Sequence, residues 1–383
     1  LMSACGGVDG GGSGAPVGYS QGSITGFGSI IVNDIHFDES GATVLADDGS
    51  TPLQAGDLKL GMSVEVESGA IDTVAGTATA TAVRLHSSLL GAVAGLNQTA
   101  GTFTLVGQVV QVTSAPVFDP ALTGGLAGMA NGNLVEVHAV YDPVSSVYSA
   151  RRIDPVTSAS LYRVRGLVST LTSNTFQIGS AVFVYTSLPA GVTEGGMARV
   201  LVRPTLDSQG RWVVSTAGLG ERQPGEGAHV GLAGVVSSYT SLGRFVVDDV
   251  RVDASMVTPT GGTVAKGAWV KVEGVMSVGV LVADKVEVKV ADAGHGGPGS
   301  GGFDMQLRGK VDSLNTDTKT FKVRDAKSDT LRDVRVELTP SAGSLAAWQA
   351  VVSSPAAISA PEPSGAAIAL AGVLGVLARR KDR

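Results

Sequence analysis

The chain has 383 residues, with 53 glycines, 5% aromatic and 16% charged residues, and a formal net charge of −6. That balance gives no long-range attraction toward phosphate backbones, which argues against nucleic acid as a partner. Cys5 is the single cysteine, so no internal disulfide can form and packed β-layers must supply the stability.

Glycine-punctuated, valine-rich segments with few aromatics read as many short strands joined by tight turns, and the expected fold class is all-β. At the start, Leu1-Met2-Ser3-Ala4-Cys5-Gly6-Gly7 runs into a glycine-rich tether, together residues 1–21. Small residues before a cysteine, followed by a flexible tether, resemble the lipobox of bacterial lipoproteins, with Met2 where that family usually has Leu. The resemblance implies lipidation of Cys5, attachment to a membrane through that lipid and, because Gly6 rather than Asp follows, the outer membrane.

An apolar-x-Gly opening then recurs as Ile24-Thr25-Gly26, Val93-Ala94-Gly95, Val164-Arg165-Gly166, Leu232-Ala233-Gly234 and Leu307-Arg308-Gly309. The spacing of about 70 residues marks a structural repeat. A strand led by Phe103, Phe176, Phe245 or Phe321 follows, with Ile30 in that role in unit one. The pairs Asn33-Asp34, Gly107-Gln108, Gly179-Ser180 and Asp248-Asp249 fall between apolar alternations, as two-residue hairpin turns do. A second hairpin is expected around Leu60, Gly61, Val64 and Val66, and around Gly267, Val270 and Val272, with looser versions at Val135-Glu136-Val137 and Val200-Leu201-Val202. Closing strands such as "ATATAVRL" and "VADKVEVKV" complete each unit.

Five or six short alternating strands per unit suit a small closed barrel of OB-like type, with a compact β-sandwich as the other arrangement. The expected organisation is repeat one at 22–88, two at 89–158, three at 159–222 and four at 228–291. A Gly-rich linker follows at 292–305, then a truncated fifth repeat at 306–340 and a linker at 341–360. Gly22 to Asp38 and Leu58 to Glu67 resemble a family of tandem β-domains of unknown function found in Gram-negative predicted lipoproteins. The half-length fifth unit has open strand edges, so it is expected to be marginally ordered or to dock on a neighbour.

The segment 361–383 contains Pro361-Glu362-Pro363, an apolar run from Gly365 to Ala378, and Arg379-Arg380-Lys381. These resemble the PEP-CTERM sorting signal, which implies export from a Gram-negative cell and an exosortase-type sorting enzyme as partner. A helix over Gly365 to Ala378 would span roughly 21 Å, short of the roughly 30 Å hydrocarbon core, so a sorting label fits better than a permanent anchor. The basic cluster would stay cytoplasmic while the body of the chain lies outside.

Catalytic chemistry is hard to find. His36, His86, His138, His229 and His295 fall in separate units without ligand spacing, so no metal and no cofactor are expected. Gly294 to Gly299 formally matches G-x-G-x-x-G but lies in the low-complexity linker. Asp47-Asp48 and Asp248-Asp249 read as turn residues. Glu65, Glu67, Glu136, Lys271 and Glu273 alternate with valines, as solvent-facing strand positions do. Trp212 and Trp269 lie near second-hairpin strands, where they suit carbohydrate stacking or core packing. The expected function is a non-enzymatic structural or adhesion protein of the cell envelope, cell surface or extracellular matrix, with exopolysaccharide as a partner. A glycan- or small-ligand-binding barrel face is the alternative, and an exported hydrolase the third.

Overall fold

The computed structural model describes residues 18–289 apart from 28, 73, 113–116 and 217–223, and beyond residue 289 only backbone strands between 306 and 359. Cys5 and its tether, His295, the Gly-rich linker, the apolar C-terminal helix and the Pro361 to Lys381 signal lie outside the described residues. The fold is all-β.

Unit one contains β1 (Gly18–Ser23), β2 (Gly26–Phe27), β3 (Ile30–Val32), β4 (Ile35–Asp38), β5 (Thr43–Leu45), β6 (Pro52–Leu53), β7 (Ser63–Ser68) and β8 (Thr77–Leu85). Unit two contains β9 (Leu89–Ala92), β10 (Ala94–Asn97), β11 (Thr102–Leu105), β12 (Gln108–Gln111), β13 (Val117–Phe118), β14 (Leu134–Asp142) and β15 (Val147–Pro155). Unit three has β16 (Tyr162–Ser169), β17 (Thr175–Ile178), β18 (Ala181–Val184), β19 (Met197–Leu206) and β20 (Trp212–Thr216). Unit four has β21 (His229–Ser241), β22 (Arg244–Val247), β23 (Val250–Asp253), β24 (Trp269–Ser277) and β25 (Val280–Lys289).

All four share one topology. In unit four β21 pairs with β22, β22 with β23, β23 in parallel with β25, β25 with β24, and β24 back to β21, which closes a five-stranded barrel. Unit three repeats this circuit through β16 to β20. Units one and two run the same circuit around a first strand broken into β1 with β2 and β9 with β10. Closure removes the free edges of the five-stranded circuit in units three and four, while the breaks in units one and two leave β1, β2, β9 and β10 paired on one side only within their own barrels.

The first hairpin turns at Asn33-Asp34 and Asp248-Asp249 have positive φ at both residues, the type I′ geometry that matches strand twist. In unit two the turn is Val106-Gly107, one residue earlier than the sequence suggests, because Leu105 pairs with Gln108. Gly107 then takes the second left-handed position rather than the first.

The repeat's first-strand glycine also moves. Ile24, Val93, Val168 and Val236 each donate to a carbonyl just before the fourth strand, at Met62, Asn133, Gly196 and Ala268. That register makes Gly22, Gly91, Gly166 and Gly234 equivalent, so the structural repeat begins four residues before the Gly26 and Gly95 openings. A side chain on any of the four would strike the tip of its own first hairpin: Asn33, Val106, Ile178 or Asp248. These glycines exist to let the hairpin fold across the first strand.

The barrels do not hang as beads. β9 pairs antiparallel with β16, and one continuous core, including Leu89, Phe103, Tyr148, Phe176 and Val200, fills units two and three together. β1 runs parallel to β21, and Tyr19 of unit one packs into the core of unit four. Substituting Gly166→Val should force Ile178 and Tyr148 apart and cost about 1–3 kcal/mol. A urea unfolding midpoint unchanged from the parent would contradict that account of the repeated glycine.

Candidate functional site

The fourth strands align as Val64-Glu65-Val66-Glu67, Val135-Glu136-Val137-His138, Ala198-Arg199-Val200-Leu201 and Val270-Lys271-Val272-Glu273. In every unit the register slips directly after this run. The valines and Ala198 point into the barrel cores. Period-two alternation therefore places Glu65, Glu136 and Lys271 on the outer faces, as the sequence implies, and the structure adds Arg199 at the same position of unit three.

Those positions are not all solvated, which corrects the expectation. Glu65 is 8% and Arg199 9% exposed. The outer face of one barrel has become the inner face of a four-barrel block.

Each of the four has a polar partner, in three cases an ion pair with another unit. Glu136 of unit two accepts from Arg163 of unit three at 2.9 Å, Arg199 of unit three pairs with Asp47 of unit one, and Lys271 of unit four binds Asp34 of unit one at 2.5 Å. Glu65 pairs with Nδ1 of His86, in the segment joining units one and two, at 3.1 Å. Glu273, two residues beyond Lys271, is half exposed and pairs only within its own unit, with Lys285 at 2.9 Å.

Asp47 is the centre of this junction. Arg163 and Arg199 both close on its carboxylate, and the Ser87 hydroxyl donates to the same group at 2.8 Å. Arg165 lies directly across from Arg199 on the neighbouring strand, an unfavourable like-charge pair that the surrounding carboxylates offset. Arg165 in turn reaches Asp248 of unit four at 3.7 Å, and Asp249 accepts the Met197 amide at 2.9 Å. Both acidic pairs seen in the sequence are thus turn residues that also tie units together. Asp48, on the surface, is different: hydrogen bonds from Thr51 and Ser50 lower its pKa to about 2.

The register slip explains a feature that sequence reasoning missed. In unit two Ala139 opposes Ala150 and His138 opposes Arg152, which leaves Arg151 as the extra residue of a β-bulge. The bulge puts two successive arginines outside, between the core residues Ala150 and Ile153. Equivalent bulges set Thr81, Ser215 and Asp284. Arg152 grips Asp154 through Nε and Nη2, reaches Asp119 at 3.0 Å and donates to the Leu60 carbonyl of unit one at 3.2 Å. Burial lowers the Arg151 pKa to about 10.

His138 is fully buried, and its Nδ1 accepts the Ser63 amide of unit one at 3.0 Å. An acceptor at Nδ1 places the proton on Nε2 and holds the ring neutral. Burial lowers its pKa, against the opposing pull of Glu136, Asp154 and Asp47.

Of the other residues singled out in the sequence, Trp212 packs against the shared core of units two and three, 6.3 Å from the Tyr162 ring. Trp269 opens β24 and is half buried. The structure does not bring the two together on one face of one barrel, since they belong to different units. His229 is exposed and His36 half buried, apart from the junction histidines. Among the described residues no group of three His, Cys, Asp or Glu side chains could hold a metal ion, and no helix is long and apolar enough to cross a membrane.

What this arrangement does chemically is positional: it ties the barrels together through charge pairs, the Asp47 cluster of them buried. Asp47→Ala would leave the buried Arg199 without its carboxylate and take one of two from Arg163, and should cost about 3–5 kcal/mol. Glu273→Ala removes a surface pair and should cost under about 1 kcal/mol. Equal effects of the two on guanidinium unfolding would refute the junction's role. His138 adds a pH signature. The unfolded imidazole takes up its proton near its reference pKa of about 6.5, while the folded one resists it, so stability falls as pH drops below about 6.5 and levels off beneath the folded value. The stability difference between the parent and His138→Gln should narrow between pH 7.5 and 5; a pH-independent difference would exclude a neutral, buried His138.

Residues 21–84, 91–154 and 233–287 match the family model described as Domain of unknown function (DUF5666). No curated protein matches the chain. The matched segments fall on the first, second and fourth barrels, so the chain contains repeated domains similar to that family, and the third barrel shares their strand order without a match.

Proposed function

We propose that this chain is an exported, non-enzymatic modular protein of the Gram-negative cell envelope or extracellular matrix, in which four OB-like barrels act as one rigid spacer or adhesion block. The observation that carries the reading is the use of one repeated strand position. Glu65, Glu136, Arg199 and Lys271, the polar groups each barrel presents in the same place, are spent on polar partners, three of them in ion pairs between barrels. Where such pairs are buried, as at Asp47 and Arg199, they add little net stability over apolar packing but specify one arrangement of parts, because a displaced charge is left uncompensated. That is a property useful to a spacer that must hold its length and shape.

The location rests on the resemblances at the two ends: Cys5 as a lipidation site and Pro361, Glu362, Pro363, Arg379, Arg380 and Lys381 as a sorting signal. An exosortase-type enzyme, a membrane and exopolysaccharide are the corresponding partners. Half-buried Trp269 supports the second reading, a glycan-stacking position on unit four.

Cell fractionation with mass spectrometry of the mature ends tests the first reading. The expected result is envelope or secreted protein with an acylated Cys5 or a chain shortened near Pro361; cytoplasmic protein with both ends intact overturns export. Saturable binding on a glycan array that disappears with Trp269→Ala would replace the spacer reading with ligand recognition. Turnover on a panel of hydrolase substrates would replace both.

A further inference from the structure

Position for position, the residue two before the first-hairpin turn faces away from its barrel core in every unit: Ile31, Thr104, Gln177 and Val246. Thr104, Gln177 and Val246 are half buried. Ile31 is 0% exposed, although it lies between the core residues Ile30 and Val32 and belongs to none of the three core clusters. The outer face of unit one is covered at this position more completely than that of the other three barrels.

The backbone shows what lies beside it. The next strand of the chain, β26 (Gln306–Leu307), runs parallel to β2, with Gly26 opposite Gln306 and Phe27 opposite Leu307. On its other side β2 meets β3 with Gly26 opposite Ile31. The opening of unit five is therefore one strand away from the buried isoleucine.

The same docking mode already operates at the other half of that strand. β21, the first strand of unit four, lies parallel to β1, with Gly18 opposite His229 and Gln21 opposite Leu232. Unit one's broken first strand thus receives the first strand of another unit along each of its halves.

We propose that the outer face of unit one, centred on Ile31 and the β2 edge, is the docking site for the opening strand of unit five, Gln306–Leu307, which adds to unit one by parallel β-augmentation. Main-chain hydrogen bonds along the edge supply affinity, and the apolar Ile31 surface supplies selectivity over the other barrels. The incomplete fifth unit is held by the first barrel, and its following strand, β27 (Lys310–Asn315), starts from that attachment. Unit five is an appendage of the block and not a separate bead.

Disulfide trapping in the full chain tests this. In a Cys5→Ser background, Gly26→Cys with Gln306→Cys faces two residues across a parallel pair, within the separation a disulfide spans. Oxidation should give an intramolecular link recoverable as one joined tryptic peptide, at least tenfold more than Gly95→Cys with Gln306→Cys, which addresses the corresponding strand of unit two. A link formed mainly between chains, or equal yields for the two pairs, overturns the proposal. Hydrogen exchange gives a reading without new cysteines: Ile31→Lys should accelerate exchange over residues 306–315 at least tenfold while units three and four keep their protection, and Thr104→Lys should leave 306–315 unchanged. Unchanged exchange at 306–315 in Ile31→Lys also overturns it.

Discussion

Two guanidinium groups from one barrel closing on the carboxylate of another, at Asp47, make the constraint on which the arrangement of this molecule depends. Arg163 and Arg199 stand on adjacent strands of unit three, while Asp47 follows β5 in unit one, so their meeting fixes two barrels separated by the whole of unit two. Ser87 and Glu136 bring in the connecting segment and unit two at the same place. Unpaired, any of these charges would face a desolvation penalty of several kcal/mol. Their mutual presence selects one placement of the barrels against all others.

That selection works because few strand edges are left over, and the free sides of β1, β2 and β9 are taken by β21, β26 and β16 of other units. Units two and three join through β9 and β16 and a common core, and units one and four through β1 and β21. The two pairs are then tied by charge: Arg152 to the Leu60 carbonyl, Asp249 to the Met197 amide, Asp47 to its two arginines. Apolar packing builds each pair, and polar contacts give the pairs their relative position. A repeated fold using one outward position for different charges, acidic in units one and two and basic in three and four, can make such a block from copies of one domain.

Much of the barrel was legible in the sequence. Alternating valines, the Asn33-Asp34 and Asp248-Asp249 turns and the closing strands announce themselves because strand alternation and turn chemistry are local properties. Two local readings slipped. The unit-two turn moved by one residue because Val106-Gly107 and Gly107-Gln108 both contain the glycine, β-branched Val106 argues locally against the first, and only the pairing of Leu105 with Gln108 decides between frames. The opening glycine moved by four in units one and two because Gly22 and Gly26 are both present, and only the approach of Asn33 shows which one the fold requires.

The amino-acid sequence determined by itself that the chain is all-β, repeated, poor in aromatics and free of internal disulfides, since each follows from composition or from contacts within a few residues. It also determined that Glu65, Glu136 and Lys271 point away from their own cores, because period-two alternation is a property of the strand. Only the tertiary structure decided what those outward faces meet. A charge beside a valine reads the same whether water or another barrel lies above it, and Arg151 and Arg152 share a face only because a bulge, visible through pairing with His138 and Ala139, turns one of them over. Burial between repeats is a long-range fact, and no alternation within a strand encodes it.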